Sequence, residues 1–403
     1  DATWDTGANF GTIAGKKGEM TVEVTTFRSE KYDPSSRNPE VNFGDTIEGD
    51  LSRRDFTVNA LALELTKSSP EFIDLFNGVE DLAKKVLRAP LDPDILFNDD
   101  PLRMMRACRF VSQLGFTVDP TIVTSITKMA SRIEIISAER VRDEFTKLLM
   151  SDNPRAGLAL MVETSLAQHI IPEIPALKLE VDEHHHHKDV YEHTLTVLEQ
   201  AISLENRLGG KNLVIRLAAL LHDIGKPKTR ELIPGGGVSF HHHEVVGSRM
   251  TKERLRVMRF DNETIKDVSH LVFLHLRFHG YAGGEWSDSA VRRYVRDADH
   301  LLEHLHVLTR ADCTTRNKKK AERLAQTYDS LEARIEKLRE EEELSAIRPD
   351  IDGNQIMKIL NIPASPLVGK AYNHLLELRL EHGPLGEERA VEELKKWFTE
   401  NGN

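Results

Sequence analysis

The spacing of apolar and polar positions changes character along the chain. Between Met20 and Phe27 they alternate, with Val22 and Val24 on one side and Glu23 on the other. A period of two with β-branched residues predicts a strand, and Gly7, Gly11, Gly15 and Gly18 punctuate the turns before it. From Arg28 to Asp50 the chain is rich in Ser, Asn, Pro, Asp and Gly, which reads as a long loop of the kind that often carries function.

From Asp99 to about Pro154 the period becomes helical. Leu102, Met105, Cys108 and Phe110 fall on a first helix, and Val141, Phe145, Leu148 and Leu149 on a later one. Several helices dense in histidine follow from His184 to about Cys313, one of them running into Leu217-Ala-Ala-Leu-Leu-His-Asp-Ile-Gly-Lys-Pro227 with a Gly and Pro stop. Beyond Arg316, mixed charges with Leu, Ile and Tyr at helical spacing predict a solvated helix, then a Leu-rich helical tail. Strands first and helices after predict an α+β fold.

Composition narrows the class. The 403 residues are 39% apolar, 30% charged and 6% aromatic, the profile of a soluble, helix-rich globular chain and not of a disordered one. At roughly 150 residues per domain, several units are expected. No apolar run reaches a membrane span and no leader precedes a cleavage site, so the chain reads as cytoplasmic, with no membrane partner. Cys108 and Cys313 lie far apart and predict no disulfide framework. A net charge of -11 excludes a chain that coats nucleic acid over its whole surface. Any RNA contact must be a local basic patch.

Candidate chemistry begins with Glu23. A carboxylate on an inner strand can hold Mg²⁺, a hard ion that takes oxygen ligands; an exposed surface Glu is the competing reading. In Arg53-Arg54-Asp55-Phe-Thr-Val-Asn59 two guanidinium groups suit phosphate while Asp55 and Asn59 suit ribose hydroxyls. The same residues also suit a helix cap. Asp99-Asp100-Pro-Leu-Arg103-Met-Met-Arg106-Ala-Cys-Arg109 carries three arginines at every third position of a predicted helix. The dipole explains Asp99 at the start of that helix, and it does not explain arginines at the same end.

Taken in order, Arg53 to Ala60, Asp74-Leu-Phe-Asn-Gly78-Val-Glu-Asp81-Leu through Arg88, Asp99 to Arg109, and Ser137-Ala-Glu-Arg-Val-Arg-Asp-Glu144 resemble the motifs of the class II tRNA nucleotidyltransferase and poly(A) polymerase family, in the form that bacterial CCA tRNA nucleotidyltransferases take. The resemblance implies a nucleotidyltransferase head sheet at 1–90, an all-helical neck with base recognition at 91–160, an HD metal-binding body at 161–320 and a helical tail at 321–403 that contacts tRNA. It implies attack of an RNA 3′-hydroxyl on the α-phosphate of CTP or ATP, driven by Mg²⁺. Residue by residue, Glu23 matches the third metal-site carboxylate, Arg54 and Asp55 match triphosphate and ribose contacts, Asp100 and Arg103 match the base-reading pair, and Arg106 and Arg109 match further nucleotide-binding arginines.

The chemistry of that pair is coherent. Cytosine and adenine each offer an exocyclic amine beside a bare ring nitrogen, whereas uracil and guanine offer a carbonyl beside an N–H. An acceptor-only Asp next to a donor-only Arg accepts the first two and opposes the others. The Gly-Gly-x-x-Arg-Asp loop and Asp-x-Asp strand that the family places upstream are absent, so the head is expected to be truncated at its N-terminal end.

A second constellation lies downstream. His193, His222-Asp223 and Asp312 have the order of an HD phosphohydrolase metal site, to which the segment is similar, and His243 and His275 fill the places of additional ligands there. Imidazole with carboxylate suits Mn²⁺, Ni²⁺, Co²⁺, Fe or Zn²⁺ better than Ca²⁺. In the His184 to His187 run, His184 to His186 read as a surface loop. Three functions therefore compete: CCA addition or its sibling poly(A) addition, with an HD domain that holds RNA or hydrolyses phosphoesters; a metal phosphohydrolase with a degenerate head; and an RNA-binding scaffold. The sequence leaves the oligomeric state open.

Overall fold

The structure, a computed structural model, describes residues 2–7, 12–31, 40–43, 46–66, 68–178, 189–234, 237–278, 286–315, 317–342 and 347–401. The chain divides into two compact units, Asp1–Leu195 with Lys252–Ile265, and Thr196–Thr251 with Lys266–Asn403.

The first unit opens with an antiparallel sheet in the order β1 (Ala2–Gly7), β2 (Thr12–Lys17), β3 (Met20–Thr25), in which Glu23 lies opposite Ala14. The expected strand is there, yet all of β3 is exposed and among the described residues it is an edge, with one neighbour only. The stretch expected to be a long loop contains two strands, β4 (Arg28–Lys31) and β5 (Glu40–Phe43), paired antiparallel with Arg28 opposite Phe43. In sequence an Asn, Pro and Ser cluster at 34–39 separates the two strands, and this turn-rich composition conceals a pairing of strands only four residues long each. Helix α1 (Ile47–Ser52) follows, capped by the Thr46 side chain. Then come the hairpin β6 (Leu61–Glu64) and β7 (Glu71–Asp74) and helix α2 (Gly78–Lys84). Strand β8 (Val86–Leu87) runs parallel to β9 (Thr117–Val118).

Helix α3 (Pro93–Asp99) starts on the Asp92 cap with Pro93 in its first turn, and α4 (Leu102–Leu114) follows after a break. Asp99 therefore ends α3 and does not start α4. The break is at Pro101, whose ring lacks the N–H that would continue the ladder. Asp100 Oδ1 accepts from the Leu102 backbone N–H at 3.1 Å, which supplies a partner for one open donor of α4. Gly115, at φ +65°, closes α4 with an N–H to the Val111 carbonyl.

Helix α4 buries Met104, Met105, Ala107 and Cys108 against α6 (Ala138–Leu149) and α7 (Pro154–Glu163); α5 (Pro120–Met129) lies between α4 and α6 in sequence and packs on α3. Gly157 permits the approach of α7 to α4: a Cβ there would stand 2.3 Å from the Cys108 carbonyl oxygen and 2.4 Å from Ser112 Oγ. The face Val141, Phe145, Leu148, Leu149 is buried as its spacing predicts.

Among its described residues the second unit is helical apart from the small hairpin Glu231–Leu232 and Val238–Ser239. Its buried centre includes Leu213–Leu221, where Arg216 is 1% exposed and chelated by both oxygens of Glu205 at 2.7 Å. Leu302–Asp312 packs on that helix. The expected solvated helix is Lys318–Glu342, with Tyr328, Leu331, Ile335 and Leu338 as its buried stripe. Gly353–Leu360, Pro366–His382 and Glu387–Asn401 close a small apolar cluster around Ile356, Leu375 and Leu394. Both cysteines are free thiols, and no helix among the described residues is long and apolar enough to cross a membrane.

Candidate functional site

In the first unit the segment Arg53–Asn59 and the arginine stripe of α4 meet. Arg106 donates from Nε to Asp55 Oδ2 at 2.7 Å, and its Nη2 stands 2.6 Å from the same oxygen. Asp55 Oδ1 accepts from the Phe56 N–H and from Asn59 Nδ2, both at 3.0 Å. Asp55 is thus a buried hub, 6% exposed, that ties its own turn and α4 together. A carboxylate so placed needs these donors, because burying it without them costs several kcal/mol, roughly.

Arg103 is buried and donates from Nη2 to the Arg53 carbonyl at 2.6 Å and from Nη1 to the Leu96 carbonyl at 3.3 Å. Two carbonyls fix the plane of its fork. Asp100 Oδ2 pairs with Arg140 Nη2 at 3.1 Å. Arg109 pairs through Nε with Glu144 Oε2 at 2.7 Å and lies 4.3 Å over the Phe110 ring; burial pushes its pKa down despite the Glu144 carboxylate. Arg140 and Glu144 were outside the candidate set, although both stand in the Ser137 to Glu144 motif and one turn of α6 apart, on one face.

Arg54, half exposed, holds Asp50 Oδ2 at 3.0 Å from Nη2, and Arg53 holds Oδ1 at 2.5 Å. Burial works to raise the Asp50 pKa, and the two guanidinium groups outweigh it, so it is lowered. Arg54 and Asp50 line an open cavity of about 750 Å³ with Thr46, Leu51, Leu61 and Ile73. Glu23 is exposed on β3, and among the described residues no group of three possible metal ligands contains it.

The second unit holds a buried metal-type cluster. Asp223, His243 and His275 bring ligand atoms within 4.8 Å of one another. Nε2 of His243 and of His275 lie 3.4 and 4.0 Å from Asp223 Oδ1, and the two nitrogens are 3.3 Å apart. His222 Nε2 lies 3.2 Å from Asp223 Oδ2 and 3.7 Å from Asp312 Oδ1. His193 stands on Val190–Ser203, the helix within which the division between the units falls. The His184 to His187 run lies outside the described residues.

One local device orients all three buried imidazoles. Nδ1 of His222, His243 and His275 donates to the backbone carbonyl of the third residue before it, Ala219, Phe240 and Val272, at 2.8, 2.8 and 2.6 Å. With Nδ1 holding the proton, Nε2 presents its lone pair inward, the tautomer a metal ligand needs. Gly225 lets the His243 turn close on the His-Asp turn, since a Cβ there would meet the His243 carbonyl oxygen at 2.2 Å.

The charges fit a cation. Burial pushes the His275 imidazole down to about 3, with His222 adding to the effect. Burial also works against charge on His222, but Asp223 and Asp312 outweigh it and its pKa is raised. Burial likewise works against charge on Asp223, yet His222, His243 and Lys226 hold it well below the usual carboxylate range. A neutral His275 imidazole beside an ionised Asp223 carboxylate is part of a donor set for a transition metal, and a bound ion would displace the proton that the two carboxylates favour on His222.

Residues 1–88 match the family described as the poly A polymerase head domain, 115–177 the probable RNA and SrmB-binding site of polymerase A, and 190–317 the HD domain. An A-adding tRNA nucleotidyltransferase of Deinococcus radiodurans is 32% identical over 362 residues, covering 88% of this chain and 80% of the relative. A CCA-adding enzyme of Enterococcus faecalis is 43% identical over 168 residues, 41% of either chain. The fold is similar to a crystal structure of the Bacillus stearothermophilus CCA-adding enzyme in complex with CTP, with TM-score 0.67 and 21% identity over 100% of this chain and 85% of that one. With motifs, fold and a relative matched over four-fifths of its length in accord, the chain belongs to the tRNA nucleotidyltransferase and poly(A) polymerase family, a family of metal-dependent nucleotidyltransferases, and carries an HD domain, a metal-binding fold.

Proposed function

We propose that the protein adds C and A to tRNA 3′ ends without a template, using CTP and ATP, in the cytoplasm. The observation that carries the proposal is the match to a tRNA nucleotidyltransferase along 88% of the chain. Arg54, in the cavity of about 750 Å³, faces the triphosphate; that volume suits a nucleotide-sized ligand. Asp55, held by Arg106 and Asn59, sets the angle between its turn and α4, with the ribose beside it. Asp100 and Arg103 read the base, their directions fixed by Arg140 and by the Arg53 and Leu96 carbonyls. Two bonds to carbonyls leave further N–H donors of the Arg103 fork for a ring nitrogen. Arg109 acts through Glu144 to keep the α4 surface in place.

Mg²⁺ would lower the pKa of the attacking hydroxyl and neutralise the leaving pyrophosphate. Glu23 offers one ligand for it, and among the described residues no group of three possible ligands contains Glu23, so the residues present do not complete a site for the ion.

The domain roles follow: head at 1–90, base-reading neck at 91–160, HD body at 161–320 and a tRNA-contacting tail at 321–403. In the body His222, Asp223, His243, His275 and Asp312, with His193 added, hold a transition metal, Mn²⁺, Ni²⁺, Co²⁺, Fe or Zn²⁺. When bound, such an ion activates water against a phosphoester. The observation favouring a second reading is that the relative matched over most of the chain is named for A addition alone. On that reading the protein extends tRNA ending in CC and not tRNA lacking all three nucleotides.

The test is incorporation of labelled CTP and ATP into tRNA lacking CCA and into tRNA ending in CC. Ordered C, C, A addition supports the first reading, and A addition to the CC substrate alone supports the second. No incorporation, with release of phosphate from a 2′,3′-cyclic end, would leave a phosphohydrolase. Arg103→Ala is expected to lose discrimination against UTP while HD phosphoesterase activity is unchanged. Normal discrimination in that variant refutes the base-reading assignment.

A further inference from the structure

Asp223 has two sides. Its Oδ1 faces His243 and His275, whereas its Oδ2 accepts from Lys226 Nζ at 2.6 Å and lies 3.2 Å from His222 Nε2. The carboxylate is 1% exposed and the lysine side chain 20%, so the ammonium sits at the rim of an otherwise dry cluster. The local chain puts it there. The Lys226 backbone N–H donates to the Asp223 carbonyl at 3.0 Å, a turn that brings the fourth residue back over the first. The ammonium also lies 5.7 Å over the Phe240 ring, three residues before His243.

We infer that Lys226 is an internal counter-ion that competes with the metal for Asp223 and thereby sets how tightly the cluster holds its ion. The inference rests on the metal reading of the HD cluster given above. Asp223 carries a single negative charge. A divalent ion bound through Oδ1 and an ammonium on Oδ2 share it, and they repel each other through a medium that screens weakly. With Lys226 in place, the buried carboxylate has a partner before any ion arrives, so the cluster folds without metal, and the ion is held less tightly and exchanges. Without Lys226, the buried charge lacks that partner and the metal-free protein is less stable. The ion then shares that compensation with His222 and His243 alone and is bound more firmly. Lys226 is a positioning residue on this account and touches no substrate.

The experiment uses the full chain, stripped with a chelator and titrated with Mn²⁺, the free ion being followed by electron paramagnetic resonance. Wild type, Lys226→Met and Lys226→Arg are compared, with melting temperature recorded with and without Mn²⁺. Met keeps the apolar stem against Phe240 and removes the charge. Lys226→Met is expected to bind Mn²⁺ about tenfold more tightly, because the repulsion between ammonium and ion is removed, to melt lower without metal and to gain more from it. Lys226→Arg is expected to behave as wild type. Should Lys226→Met fold only with Mn²⁺ present, release of the ion to excess chelator is measured instead and is expected to be slower than from wild type. Unchanged or weaker Mn²⁺ binding by Lys226→Met, or faster release, overturns the inference while the metal reading stands. Absence of Mn²⁺ binding in all three proteins overturns the metal reading and this inference with it.

Discussion

Gly225→Ala tests whether the HD cluster depends on the approach of two backbones. Gly225 has φ −75°, an ordinary value for any residue, so what it supplies is space and not a left-handed conformation. A Cβ at this position would stand 2.2 Å from the His243 carbonyl oxygen, 2.7 Å from the Gly247 nitrogen and 3.0 Å from the His243 carbonyl carbon. Ordinary contact begins at 3.4 Å. The closest pair is short by 3.4 − 2.2 = 1.2 Å, and the atoms concerned are backbone on both sides, so no side chain can swing aside. One turn carries His222 and Asp223, and the other carries His243. Relief by a shift of this size exceeds the tolerance of metal–ligand bonds, about 0.2 Å. Overpacking of a dry contact costs about 1–3 kcal/mol, and misplacing one ligand lowers metal affinity by about ten- to a hundredfold.

The assay is Mn²⁺ titration of Gly225→Ala together with urea denaturation of the metal-free form. A drop in stability of about 1–3 kcal/mol with clearly weaker Mn²⁺ binding is expected, while incorporation of CTP and ATP by the first unit is retained. A useful companion is Gly369→Ala, in the helix Pro366–His382, where a Cβ would meet nothing within 4 Å. There the change removes a helix penalty and is expected to stabilise by about 0.5–1 kcal/mol. If Gly225→Ala kept both stability and Mn²⁺ affinity, the argument that the cluster is set by this contact would be wrong.

Three further outcomes are expected. Asp55→Asn weakens a buried carboxylate that Arg106 and Asn59 hold and should cost about 1–3 kcal/mol in denaturant titration, with nucleotide incorporation lost; unchanged stability would remove Asp55 as the hub. Cys108 is fully buried in α4, its thiol pushed up to about 12 by burial, so in native protein one thiol, the half-buried Cys313, should attack a disulfide reagent and displace one equivalent of the reagent's thiolate, and mass mapping of the labelled peptide checks which. Glu303 is held down at about 2, against its usual 4.5, by His306 foremost and, against the opposing effect of burial, by Arg207. A depressed carboxylate contributes stability above its unfolded pKa that is lost as pH falls through the folded one, so the melting-temperature gap between wild type and Glu303→Gln should shrink as pH falls from about 4.5 toward 2; a gap that widens within that window refutes the assignment.

How much of this was legible in the sequence depends on the range over which each feature is decided. Helix α4 and the buried face of α6 follow from local period, and they appear where the period puts them. The break at Pro101 is local too, and its consequence, that Asp99 closes one helix while Asp100 caps the next, follows once the missing N–H of proline is weighed above the acidic pair. Pairing of β4 with β5 is not decided by period, because the two strands are four residues long and separated by turn-forming residues. The partners of the arginine stripe are decided at longer range still. A repeat at every third position announces that Arg103, Arg106 and Arg109 share a face, yet it cannot say that the first grips two carbonyls, the second Asp55 and the third Glu144.

The contrast between those arginines and the histidines of the second unit shows why the two candidate sites differ in what sequence can establish. An arginine fork accepts any oxygen in reach, carbonyl or carboxylate, protein or ligand, so its residue type does not select its partner. An imidazole that must be neutral, of one tautomer and aimed at a common point is far more constrained. The chain meets that constraint with a purely local bond, Nδ1 to the carbonyl three residues back, made three times over at His222, His243 and His275. Because orientation is settled within one turn of backbone, the fold has only to bring the three turns together. A glycine where two of them touch is sufficient for that at Gly225. Spacing and residue type therefore foretold which imidazoles gather around Asp223, whereas along the arginine stripe they foretold the donors and left their acceptors to the fold.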